Sequence, residues 1–136
     1  MITQILEVKN VQGPTCPRNI YLAHNYGARE WLRSEVVPYL ESRSHNITSR
    51  WIIWPPIHDS NIEGPMDLED IDKASHVVFF TGQYSERPGR GKFVELGYAI
   101  RAGKTVIMVG EDNGCVFYKL PTLRWADSYQ SILRYL

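Results

Sequence analysis

Val77-Val78-Phe79-Phe80-Thr81 and Thr105-Val106-Ile107-Met108-Val109-Gly110 decide the fold. Both runs are apolar almost throughout rather than at alternate positions, so each reads as a strand buried on two faces. Between them, residues 82–91 hold Pro88, Gly89, Arg90 and Gly91 and read as a loop; residues 92–102 read as a helix closed by Gly103. Strand, loop, helix, strand is the crossover unit of a parallel sheet.

Upstream, Asn19-Ile20-Tyr21-Leu22-Ala23 is a further buried strand that breaks at His24-Asn25-Tyr26-Gly27. Residues 28–42 follow as a helix, with Trp31, Leu32, Glu35, Val36 and Tyr39 at three- and four-residue steps and Pro38 to kink it. Residues 49–54, aromatic and β-branched, read as a strand ending at Pro55-Pro56. Residues 58–66 read as a polar loop and 66–74 as a helix with Leu68 and Ile71 inward. Residues 126–136 read as a last helix, after a short strand at 123–125. Residues 1–18 form an N-terminal extension whose run Ile5 to Val11 suits an edge strand, and 19–136 form one α/β domain, an open parallel sheet with helices on both faces. Ligands in such sheets sit beyond the carboxyl ends of the strands, where strand order reverses. The loops at 24–27, 54–66 and 82–91 are therefore the ones that matter.

Composition narrows the function. The 136 residues are 43% hydrophobic and 22% charged, the range of a globular domain. Fifteen basic residues balance fifteen acidic ones, which disfavours a duplex nucleic-acid partner. Cys16 and Cys115 imply neither a disulfide framework nor a zinc site. The first residues lack the basic start and apolar core of a signal peptide, and no apolar run approaches the about 20 residues that span a bilayer. The expectation is a soluble, cytoplasmic protein without a membrane partner.

Three groups of residues can carry chemistry. Glu95 stands in the first turns of the helix after the glycine-rich loop, where a carboxylate is also favoured by the helix dipole alone. Gly91 and Gly97 flank it with small residues, as where a ligand approaches the backbone. Free N–H groups at that helix start, with Arg87, Arg90 and Lys92, could hold a phosphate, although neither a Walker A nor a GxGxxG pattern is present. Asp67-Leu68-Glu69-Asp70-Ile71-Asp72 reads as a solvated acidic helix face with Asp67 as its N-cap, or as the source of a second carboxylate facing Glu95. Tyr21 precedes His24, Asn25 and Tyr26 at the expected ligand edge. His45, His58 and His76 read as structural or surface residues, and Trp51 and Trp54 as core.

Ile20-Tyr21-Leu22-Ala23, Asp67 to Ala74, and above all Val94-Glu95-Leu96-Gly97-Tyr98-Ala99 resemble the nucleoside 2-deoxyribosyltransferase superfamily, which includes nucleotide N-glycoside hydrolases. The resemblance runs from Asn19 to the C-terminus, and Val116 to Pro121 is similar to small phage-type members. It implies a flavodoxin-like sheet and an enzyme that needs no metal or organic cofactor. It makes Glu95 the nucleophile on the anomeric carbon and Asp67 the acid that assists the leaving base. Asp70 is the second candidate for that acid, and Tyr21 positions the nucleophile. It also implies a homodimer or higher homo-oligomer. Nucleoside-specific members carry an acid six residues before the glutamate; here Gly89 stands there, between Arg87 and Arg90, which suits a 5′-phosphate. The expected partner is a small nucleotide or nucleoside, with His24, Asn25, Tyr26, Arg87, Gly89, Arg90 and Gly91 as its binding residues. The alternative is a non-catalytic nucleotide-binding module on the same fold.

Overall fold

The computed structural model describes residues 16–82 and 90–136. Ile5 to Val11, Arg87 and Gly89 lie outside the described residues. Strand β1 (Asn19–Ala23) leads into a helical stretch, α1, made of a 3-10 turn Tyr26–Ala28 and the segments Arg29–Trp31, Leu32–Val36 and Val37–Glu41. Strand β2 (Asn46–Ile47), helix α2 (Arg50–Ile53), helix α3 (Ser60–Asp72) and strand β3 (His76–Phe80) follow. Helix α4 (Gly91–Arg101), strand β4 (Thr105–Val109), a 3-10 helix Val116–Lys119, strand β5 (Arg124–Ala126) and a 3-10 helix Gln130–Tyr135 complete it. All strand pairs are parallel in the order β2-β1-β3-β4-β5, the flavodoxin-like arrangement.

Alternation along the strands divides the core. Ile20, Leu22, Val78 and Phe80 face one way, against Leu32, Val36 and Leu40 of α1 and Ile52 of α2. Tyr21, Ala23, Val77 and Phe79 face the other, against Ile71 of α3 and Leu96 and Ala99 of α4.

Four expectations need correction. Helix α1 begins two residues early, and Pro38 acts through a π-turn: the Val37 N–H reaches the Leu32 carbonyl, one residue further back than in an α-helix. Residues 49–54 are not a strand. The chain leaves the sheet after Ile47, and the side chains of Ser49 and Trp51 take over the pairing. The Thr48 N–H donates to the Ile20 carbonyl, but the Leu22 N–H then donates to Ser49 Oγ (2.7 Å), and Trp51 Nε1 donates to the Leu22 carbonyl (3.0 Å). Side-chain donors and acceptors thus finish the ladder and override β-propensity. The polar loop at 58–66 is helix from Ser60 onward: the Asp59 carboxylate accepts from the Asn61 N–H (3.0 Å), and Pro65 withholds a bond only from the solvent-exposed Asn61. Finally, Ala126 belongs to β5, and the C-terminal helix is the 3-10 segment alone.

Ser49 is wholly buried. Ser49→Ala leaves the Leu22 N–H without a partner and lowers unfolding free energy by about 2 kcal/mol in urea titration. A loss within error of zero would show that the ladder is completed otherwise.

Candidate active site

The strand order reverses between β1 and β3, and a cleft of about 430 Å³ lies there, of a size to take a small ligand. His24 and Tyr26 line it from the exit of β1. Arg50, Trp51 and the chain Pro55-Pro56-Ile57-His58 wall it on one side, α3 contributes Glu63, Met66 and Asp67, and α4 contributes Gly91, Lys92 and Glu95.

Helix α4 buries Lys92, Glu95, Leu96 and Ala99, the spacing of a core-facing stripe. Glu95 is therefore a carboxyl on an apolar stripe, 9% exposed and opening on the cleft. Burial, with the Asp67 carboxylate adding to it, pushes its pKa up to about 8, while the neighbouring Tyr21 hydroxyl favours the ionised form. Tyr21 is fully buried; its hydroxyl faces the Glu95 carboxyl without completing a well-formed hydrogen bond. Asp67 is likewise raised to about 7, by burial and by Asp70 and Glu63, against a lowering by Arg50. Its Oδ1 is buried without a partner. Asp67 sits in the second half of α3, so it is no N-cap; Asp59 is.

The remaining candidates divide. The His24 ring stacks on Phe80 (centroids 4.9 Å apart) and its Nδ1 accepts from the Asn25 N–H (2.7 Å). Burial and the Lys92 charge lower its pKa to about 4, so the ring is neutral with its proton on Nε2. Asn25 is buried beneath this turn and does not line the cleft, and Arg90, at the exposed N-cap of α4, does not either. Asp70 is 1% exposed and both its oxygens are engaged, Oδ2 by the Arg50 N–H (2.9 Å) and Oδ1 by Arg50 Nε (2.6 Å). It fixes an arginine rather than meeting a ligand. Lys92 donates to the Phe80 and Gly82 carbonyls (2.9 and 3.2 Å), so its ammonium ties the end of β3 to α4. Gly97 lies about 200° around the helix from Glu95, and a Cβ at Gly91 or Gly97 would meet nothing within 4 Å. Neither glycine is required by a close approach.

Arg50, Glu63 and Met66 line the cleft and were not singled out from sequence, and Trp51 and His58, read there as core and as a structural or surface residue, line it too. For His58, Glu63 and Met66 the signal was the position of residues 54–66 at the expected ligand edge, which marks a segment without identifying its side chains; Arg50 and Trp51 fell inside a stretch read as a strand. Arg29 holds this wall from behind, with Nε on the Trp51 carbonyl (2.9 Å) and Nη2 on the Trp54 carbonyl (2.7 Å). Among the described residues no group of three or more His, Cys, Asp and Glu side chains is placed to hold a metal ion. No helix among them is long and apolar enough to cross a membrane.

Fold and cleft together define an open α/β domain with two carboxyls of raised pKa at its switch point. Among solved structures, the CMP N-glycosidase BcmB of Clostridium botulinum has this fold, with a TM-score of 0.63 and 14% identity over 87% of this chain and 97% of that one. A 2-deoxyribosyltransferase of Bacillus psychrosaccharolyticus also has it, with a TM-score of 0.66 and 21% identity over 87% of this chain and 92% of that one. At these identities the likeness is one of fold. No family model matches the sequence, and no curated protein sequence does.

Folding favours the protonated form of Glu95, because its pKa of about 8 exceeds the ordinary glutamate value of 4.5. That stability is fully present below 4.5 and is lost as pH rises through 8. Glu95→Gln, which cannot ionise, gains Tm relative to the wild type, by an amount that grows from pH 5 to pH 9. A Tm difference that is constant over that range would show Glu95 to be unperturbed.

Proposed function

We propose that the protein cleaves or exchanges the N-glycosidic bond of a nucleoside 5′-monophosphate. The observation that carries this reading is the Glu95 carboxyl, buried on an apolar stripe beside Tyr21 and opening on the same cleft as Asp67. The two solved proteins of this fold, one named for CMP N-glycoside cleavage and the other for deoxyribosyl transfer, support the bond type.

In this reading Glu95 attacks the anomeric carbon, and the bonding electron pair leaves with the base nitrogen. Asp67, whose pKa of about 7 keeps a proton available, donates it to the base. Water or a second base then displaces the glutamate and returns the proton to Asp67. Positive charge developing on the sugar favours the Glu95 anion at the moment it is needed. The 5′-phosphate is supported, at the level of sequence, by Arg87 and by the glycine at 89 in place of an acid. The homo-oligomer is carried by the resemblance alone.

Incubation with ribo- and deoxyribonucleotides and their nucleosides, followed by chromatography of free base, tests the reading. Base release from nucleotides exceeds release from nucleosides, and Glu95→Gln lowers it at least about a hundredfold, roughly 3 kcal/mol of barrier. Binding without release, or near-normal release by the variant, overturns it.

The reaction needs Glu95 ionised and Asp67 protonated, so kcat/KM against pH is bell-shaped, with its maximum between about 7 and 8. Tyr21→Phe removes the hydroxyl that favours the Glu95 anion, which moves the acid limb to higher pH and leaves the alkaline limb in place. A uniform fall across pH would mean that Tyr21 only packs.

A further inference from the structure

Most acids in and around α3 are committed to protein partners. Asp59 caps the helix, Glu69 pairs with Arg50 and Lys73, Asp70 holds Arg50, and Asp72 accepts from the Tyr98 hydroxyl (2.6 Å). Two are left over. Among the described residues the Glu63 side chain has no hydrogen bond or ion pair, and Asp67 Oδ1 is buried without a partner. These two stand one helical turn apart, a spacing at which like charges destabilise a helix, and both line the cleft. A ligand that offers a hydrogen-bond donor to one of them relieves that cost.

We propose that Glu63 selects an amino-bearing base, its carboxylate accepting from the exocyclic amine while Asp67 faces the adjacent ring nitrogen. This rests on the glycosidic reading and names its substrate class. The edge of cytosine or adenine sets an N–H donor beside a ring-nitrogen acceptor. That edge matches an acceptor at Glu63 and a protonated acid at Asp67, the form the proposed leaving-group role already requires. Uracil and hypoxanthine reverse the order and bring a carbonyl oxygen against the Glu63 carboxylate, which leaves both groups unpaired. Tyr26 and Trp51, with ring centroids 6.4 Å apart on the same cleft, supply aromatic surface for the base plane without distinguishing the two kinds of base.

The test compares base release from the 5′-monophosphates of cytidine, uridine, adenosine and inosine, in ribo and deoxyribo forms. In the wild type kcat/KM for the amino member of each pair exceeds that of the keto member at least about tenfold. Glu63→Gln brings the ratio near one, chiefly by raising the keto members, since a glutamine amide can turn its N–H₂ toward a carbonyl. A side chain that only supports the helix would lower all four substrates alike, and that result overturns the inference. Equal wild-type rates within each pair overturn it as well, and leave the glycosidic reading standing. No release from any of the four overturns both.

Discussion

Leu22 of β1 has β3 on one flank and no strand on the other. Strand β2 ends at Ile47, opposite Ile20, yet the Leu22 N–H and carbonyl are buried and must be paired. Had the ladder continued, the Arg50 N–H would have met the Leu22 carbonyl, as the Thr48 N–H meets that of Ile20. Instead Ser49 Oγ and Trp51 Nε1 serve Leu22, and the Arg50 N–H turns to Asp70 on α3. The chain is thereby free to coil into α2, and the wall of the cleft stands where a longer strand would have been. Arg29 secures that wall through the carbonyls of Trp51 and Trp54.

The same arrangement separates structural acids from those facing the cleft. Asp70 and Arg50 lock α3 to α2, and Asp67, three residues earlier on α3, lines the cleft. Helix α4 brings Glu95 up from the sheet on the stripe that also carries Leu96 and Ala99 into the core. Two carboxyls then line one poorly solvated cleft: burial raises the cost of ionising each, the Asp67 charge adds to that cost at Glu95, and Asp70 and Glu63 add to it at Asp67. A fold selected for stability alone would place apolar groups at both positions. Carboxyls kept in such surroundings are the physical ground on which a functional role is proposed for them.

Lys92 shows how a charge can be drawn away from the role its neighbourhood suggests. In sequence it stands beside Arg90 and Gly91 as one more phosphate-binding cation. In the structure its ammonium lies between the carbonyls of Phe80 and Gly82 and near the Phe79 ring (5.1 Å). Its charge adds to burial in keeping His24 neutral, so the cleft lining contains an uncharged imidazole rather than a further cation beside Arg50 and Lys92.

The sequence by itself determined the central strands of the sheet, β1, β3 and β4, and the side on which the crevice lies, though not the edge strand β2. Strands buried on both faces must be apolar almost throughout, and Val77 to Thr81 and Thr105 to Gly110 show that without any tertiary information. Glu95 was singled out by its place after the glycine-rich loop and by the resemblance carried by Val94 to Ala99, while its burial and its opening on the cleft follow only from how α4 packs. What only the tertiary structure decided lies between residues 46 and 72. Ser49 to Trp54 has the composition of a strand, and nothing local shows that side chains at 49 and 51 will complete another strand's hydrogen bonds. Residues 58–66 read as a polar loop, and only the cap at Asp59 and the packing of Met66 and Ile71 make Ser60 onward helix. Which acids are spent and which remain for a ligand was equally closed to the sequence. Partnership is a matter of distance across the fold, and Asp67, Glu69, Asp70 and Asp72 look alike until Arg50, Lys73 and Tyr98 have taken three of them.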